Sequence, residues 1–93
     1  MTQVTMIGNI INTIKLETIS DHVFAKFNLR VEIGDRVEFI KCKVWDRQAE
    51  RLAYYSVPGT YISVTGELID GYINCVSYQM LRENAPRAGQ VFS

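Results

Sequence analysis

The sequence predicts an all-β protein: a five-stranded Greek-key barrel with one short helix between the third and fourth strands. Three observations carry this reading. Apolar and polar residues alternate with a period of two through much of the chain. Glycine-bearing turn signals cut it into segments of strand length, and one stretch near residue 50 changes to helical spacing. At 93 residues there is room for one domain with one modest core.

The first strand is read over residues 4–16, with Gly8 inside it marking the bend or bulge that a small barrel needs to close. The second covers residues 22–33. Val23, Ala25, Phe27, Leu29, Val31 and Ile33 share one face, and Phe24, Lys26, Asn28, Arg30 and Glu32 share the other. Gly34-Asp35 supplies a tight hairpin connection to a third strand over 37–45, whose core face is Ile40, Cys42 and Val44. Asp46 is suited to cap a helix over 47–55, with Ala49, Leu52 and Ala53 as its apolar stripe and Pro58-Gly59 as its stop. The fourth strand, 60–69, turns Ile62, Val64 and Leu68 inward. Asp70-Gly71 is a type I′ hairpin signal leading into the fifth strand, 72–81. A barrel removes the exposed edges of such a sheet, and a Greek-key barrel with a helix at this point is the OB fold. The SH3-like barrel, the main rival, rarely carries a full helix there. Residues 1–82 form the expected domain, and 83–93, which lack an apolar period, a flexible tail.

Ten basic and ten acidic side chains give a formal net charge of zero, against the basic excess usual in nucleic-acid binders. No apolar run approaches the length of a membrane span and no signal peptide is evident, so a cytoplasmic protein without membrane contact is expected. Cys42 and Cys75 lack the spacing of a metal site and read as two small buried hydrophobes. No cofactor or metal is implied.

The outward side of the third strand is the informative feature. Phe39, Lys41, Lys43 and Trp45 fall at alternate positions facing away from the core. Two large rings left on a solvent face are not explained by core packing, and interleaved lysines are what a stacking platform for nucleic acid requires. The second strand adds Phe24, Lys26 and Arg30 on the same side, and Tyr72 beside the last hairpin is a further stacking candidate. An oligomer interface would also be rich in aromatics, but interface cores are depleted in lysine. Tyr54 and Tyr55 are read as packing residues at the helix end, and Tyr61 and Tyr78 as structural.

Catalysis is not expected. His22 is the sole histidine, Ser20-Asp21-His22 cannot form a triad from consecutive extended residues, and no glycine-rich phosphate loop is present.

From residue 4 to 81 the chain resembles the bacterial single-stranded DNA-binding protein (SSB) family. The most specific part is FIKCKVWDRQAERLAYYSVPG, from Phe39 to Gly59, supported by VTMIGNI from Val4 and TGEL from Thr65. The resemblance implies sequence-independent binding of single-stranded DNA in replication, recombination or repair, with Phe39 and Trp45 at the family's base-stacking positions. It also implies a homo-oligomer, a tetramer first and a dimer second, and no small-molecule substrate. Two departures stand out. The hairpin between the last two strands is cut to Asp70-Gly71, and the family's acidic C-terminal tip is missing. A primosomal replication protein of the PriB type is therefore a close alternative. An RNA-binding OB module and a protein-interaction subunit using the aromatic face also remain open.

Overall fold

The computed structural model describes residues 2–81; the tail expected over 83–93 lies outside them. Six strands and one helix follow in order: β1 (Gln3–Ile10), β2 (Glu17–Ile19), β3 (His22–Ile33), β4 (Arg36–Trp45), α1 (Asp46–Tyr55), β5 (Tyr61–Ile69) and β6 (Tyr72–Met80). The sheet runs β1-β5-β6-β4-β3-β2, and β1 returns to pair with β3. Five strands thus close a barrel, with α1 between β4 and β5, and the architecture is the OB fold. All the ladders are antiparallel except β4 with β6, which run parallel.

The expected first strand, 4–16, is broken. β3 pairs with β4 along one edge; along the other it pairs with β2 at its start and with β1 near its end. Between those partners the chain leaves the ladder at 11–16. There Asn12 substitutes its carboxamide for a ladder partner, accepting from the Asn28 N–H at 3.0 Å, while Ile14 drops into the core. A buried polar backbone group needs some partner, and here a side chain supplies it. The tight turn at Ser20-Asp21 then reverses the chain with φ of 48° and 67°, a type I′ geometry built without glycine.

Closure depends on close backbone approach at Gly8. A Cβ there would lie 2.5 Å from the Arg30 carbonyl oxygen, where β1 meets β3. Gly66 plays the same part at the β5 bulge, where a Cβ would strike the Asn74 carbonyl. The core so enclosed holds Ile10, Leu29, Val44, Leu52, Ile62, Val64 and Ile73, all essentially fully buried. Both cysteines are free and buried, as expected of small core residues. The neighbouring Cys75 side chain and burial out of water together push the pKa of the Cys42 thiol far above the ordinary thiol range.

Several local expectations are corrected. Leu68 and Ile33 are exposed, because each sits where its hairpin runs past the barrel body. Asp46 does not cap α1. It opens the helix with a φ of 54°, and its carboxylate instead meets the His22 Nδ1 at 3.2 Å. Tyr54 and Tyr55 do not pack under the helix end; they are 81% and 63% exposed.

Tyr78 does prove structural. Its hydroxyl donates to the Gln48 carbonyl at 3.0 Å, tying β6 to α1. Burial raises its pKa above the usual 10.0, with the positive charge of Arg51 opposing.

Two stability measurements check this account. Gly8→Ala should cost about 2–3 kcal/mol in denaturant unfolding, the scale of forced overpacking. Tyr78→Phe should cost about 1 kcal/mol, one intramolecular hydrogen bond. Because the folded state raises this phenol's pKa, its contribution is full below about pH 10 and is lost as the pH rises further. The substitution should therefore flatten the alkaline fall in stability relative to the parent.

Candidate nucleic-acid interface

The β3–β4 ladder builds the candidate site. Its register places Phe24 opposite Trp45, Lys26 opposite Lys43, Asn28 opposite Lys41 and Arg30 opposite Phe39. All eight point away from the core strip of Ala25, Phe27, Leu29, Cys42 and Val44. The parallel β4–β6 pairing sets Lys43 beside Asn74 and brings Tyr72 to the same surface. The expected set Phe24, Lys26, Arg30, Phe39, Lys41, Lys43, Trp45 and Tyr72 therefore shares one continuous face.

Within that face the residues are not equivalent. Phe24 is buried, its ring packed on Trp45 with centroids 5.1 Å apart and planes tilted by 34°. It supports the indole rather than offering a free ring. The Lys43 ammonium lies 5.0 Å from the Tyr72 centroid, 5.7 Å from that of Trp45 and 5.8 Å from that of Phe24. Lys41 stands 5.3 Å from the Tyr72 ring. Each such contact contributes roughly 0.5–1 kcal/mol at an exposed site, enough to order a flexible lysine ahead of any ligand. Phe39 is separate. It lies six residues from Trp45, about 20 Å along the strand, and is 61% exposed.

The charges divide into paired and unpaired sets. Among the described residues the ion pairs are His22–Asp46, Arg30–Glu32 and Arg36–Glu38. Arg30, at 2.9 Å from Glu32, is thus already partnered. Lys26, Lys41 and Lys43 meet no carboxylate among those residues. Lys26 and Lys43 even face each other across the ladder, a like-charge pairing that costs stability in isolation and that a bound polyanion would relieve. No cluster of histidine, cysteine, aspartate or glutamate able to hold a metal occurs among the described residues.

Asn74 joins this face although the sequence alone did not place it there. Its Oδ1 accepts from the Trp45 indole N–H at 3.3 Å, fixing the ring on the side away from Phe24. Its outward position on the last strand could be read from alternation. Its neighbour could not, because only the parallel β4–β6 register brings it to Trp45.

Comparisons with known proteins point one way. A sequence model of the "Single-strand binding protein family" matches residues 1–77. The chain is 37% identical over 73 residues to "Single-stranded DNA-binding protein 4" of Streptococcus agalactiae, a match that takes in 70% of this chain and 53% of that protein. It therefore spans about half the length of that curated relative. Among solved structures, a deletion mutant of the single-stranded DNA binding protein from Thermus aquaticus superposes with a TM-score of 0.81 at 20% identity, over 94% of this chain and 44% of that one. The mitochondrial single-stranded DNA binding protein Rim1 of S. cerevisiae gives 0.79 at 13% identity, over 87% of this chain and 94% of its own. At those identities the two structures speak to the fold.

The role of Asn74 can be checked with the single tryptophan as the reporter. Asn74→Ala should lower the fluorescence anisotropy of Trp45 and red-shift its emission, while Asn74→Asp, which keeps the acceptor, should stay close to the parent. An unchanged spectrum in the alanine variant would show that the hydrogen bond does not hold the ring.

Proposed function

The chain belongs to the single-strand binding protein family, and from that premise and the geometry of its β3–β4 face we propose that it binds single-stranded DNA without sequence preference. The carrying observation is the cluster of Phe24, Trp45 and Tyr72 around the Lys43 ammonium, with Lys26 and Lys41 alongside and no carboxylate paired to any of the three lysines among the described residues. Every base has a π-face, so rings read no sequence, and lysines follow a backbone that is the same at every nucleotide.

Each group has a distinct part. Trp45, backed by Phe24 and held by Asn74, presents a fixed ring on which a base stacks. Phe39 offers a second, freer ring about 20 Å away, so that several nucleotides span the two. Lys26, Lys41 and Lys43 take the phosphates between them, releasing counterions as they do so. Tyr72 steadies both Lys41 and Lys43 and adds a stacking surface at the edge. Arg30, paired to Glu32, contributes once the ligand competes for it. The chemistry is binding, not catalysis.

The protein acts in DNA replication, recombination or repair, in the cytoplasm, as a homo-oligomer with the tetramer as its expected form. The family membership supports this setting. No helix among the described residues is long and apolar enough to cross a membrane. The β5–β6 connection is a tight turn in which Ile69 pairs directly with Tyr72, so little protein beyond the barrel is available there for a wrapped strand.

Titration with an oligo(dT) should quench the Trp45 fluorescence strongly, and affinity should fall steeply with salt. Trp45→Ala should weaken binding by roughly 5- to 150-fold, the equivalent of about 1–3 kcal/mol of stacking, with the solution mass unchanged. Dissociation of the oligomer by that substitution, or no binding at low salt, would contradict the proposal.

A further inference from the structure

The outer face of α1 carries a second set of the same chemistry that the platform does not use. At 3.6 residues per turn, Arg47, Arg51, Tyr54 and Tyr55 fall within about 100° of arc, a single stripe about 12 Å long. All four are exposed, and Tyr54 and Tyr55 meet edge to face with centroids 4.8 Å apart. The opposite side of the helix is the one that packs, through Ala49 and Leu52. Nothing in the described core explains two large rings left in water here.

Neither guanidinium has an ion-pair partner among the described residues. Two acids share the helix, but Asp46 is held by His22, and Glu50 pairs with no cation among the described residues. Along one edge of the stripe, Arg51 and Tyr55 join Tyr78 and Met80 around an open surface cavity of about 440 Å³. The stripe is also continuous with the platform. Arg47 lies two residues after Trp45, with no loop between β4 and α1.

We propose that the stripe is a second binding segment for the same single strand: DNA leaving the Trp45 end of the platform runs along α1, with its phosphates on Arg47 and Arg51 and a base against Tyr54 and Tyr55 at the mouth of the cavity. The inference rests on the reading of the β3–β4 face given above. Unpaired guanidiniums call for an anion, exposed phenols for a flat apolar group, and the direct continuation from Trp45 for the ligand already seated there.

The test compares the full chain with two double variants, Arg47→Ala/Arg51→Ala and Tyr54→Ala/Tyr55→Ala. Each is titrated with an oligo(dT) of about 5 nucleotides and one of about 16, near the two ends of the range for a single OB fold. The short oligonucleotide, which the platform alone accommodates, should bind all three proteins within about twofold. On the long one the arginine variant should lose about 1.4 from the slope of log affinity against log salt, at about 0.7 per phosphate contact on a single strand. The tyrosine variant should bind it roughly 5-fold or more weakly, with its salt slope kept. Unchanged slope and affinity on the long oligonucleotide would overturn this proposal alone. A fall in solution mass in either variant would overturn it in favour of an interface between protein chains. Failure of the parent to bind either oligonucleotide would overturn the platform reading and this one with it.

Discussion

The two-residue turn at Gly34-Asp35 sets Ile33 opposite Arg36, and from that pairing the whole β3–β4 register follows. A strand's side chains alternate between faces, so a slip of one residue would send Phe39, Lys41, Lys43 and Trp45 into the core and leave Cys42 and Val44 in water. The apolar strip therefore enforces the composition of the outward face. Burial of Ala25, Phe27, Leu29, Cys42 and Val44 fixes which side chains point outward, and the contacts among those side chains then order them. Closure by β1 and the parallel approach of β6 then depend on that hairpin being in register. Gly8 lets β1 come close to β3, and β6 brings Tyr72 and Asn74 to the edge of the face.

The formal net charge of zero hides a strongly patterned surface. Arginine is consumed near the β3–β4 turn, where Arg30 and Arg36 meet Glu32 and Glu38, while the three lysines of the face are left without acids among the described residues. A steering field comes from local arrangement, not from the total, and screening within about 8–10 Å at physiological salt makes the near neighbours decisive. Lys43 also shows how rings and cations divide the work. The aromatic groups order its ammonium without neutralising it, so the charge stays available for phosphate.

Much of this was legible in the sequence because the signals were periodic. Alternation over 22–33 and 37–45 gave the hairpin, its faces and the members of the platform, and the resemblance to the SSB family supplied the ligand class proposed for it. The failures came where tertiary contacts replace local rules. The first strand reads as continuous to residue 16, but Asn12 satisfies Asn28 from outside the ladder, and the Ser20-Asp21 turn adopts positive φ without a glycine to announce it. Asp46 has the chemistry of a helix cap, yet His22 lies within its reach and takes it. Phe24 lies on the outward face as alternation requires, although the packing of Trp45 over it hides the ring. Tyr54 and Tyr55 resemble core residues by type, and only the barrel shows that the helix turns them to solvent.

The central claim is that a DNA strand lies on the rings of the β3, β4 and β6 face. Ultraviolet cross-linking of the protein to an oligonucleotide bearing 5-bromodeoxyuridine, followed by peptide mapping, tests it most directly. The account predicts adducts at Trp45 and Phe39, with Tyr72 as the next site. Adducts confined to β1 around Ile7 or to the exposed back of β6 around Val76, with none at Trp45 or Phe39, would contradict it.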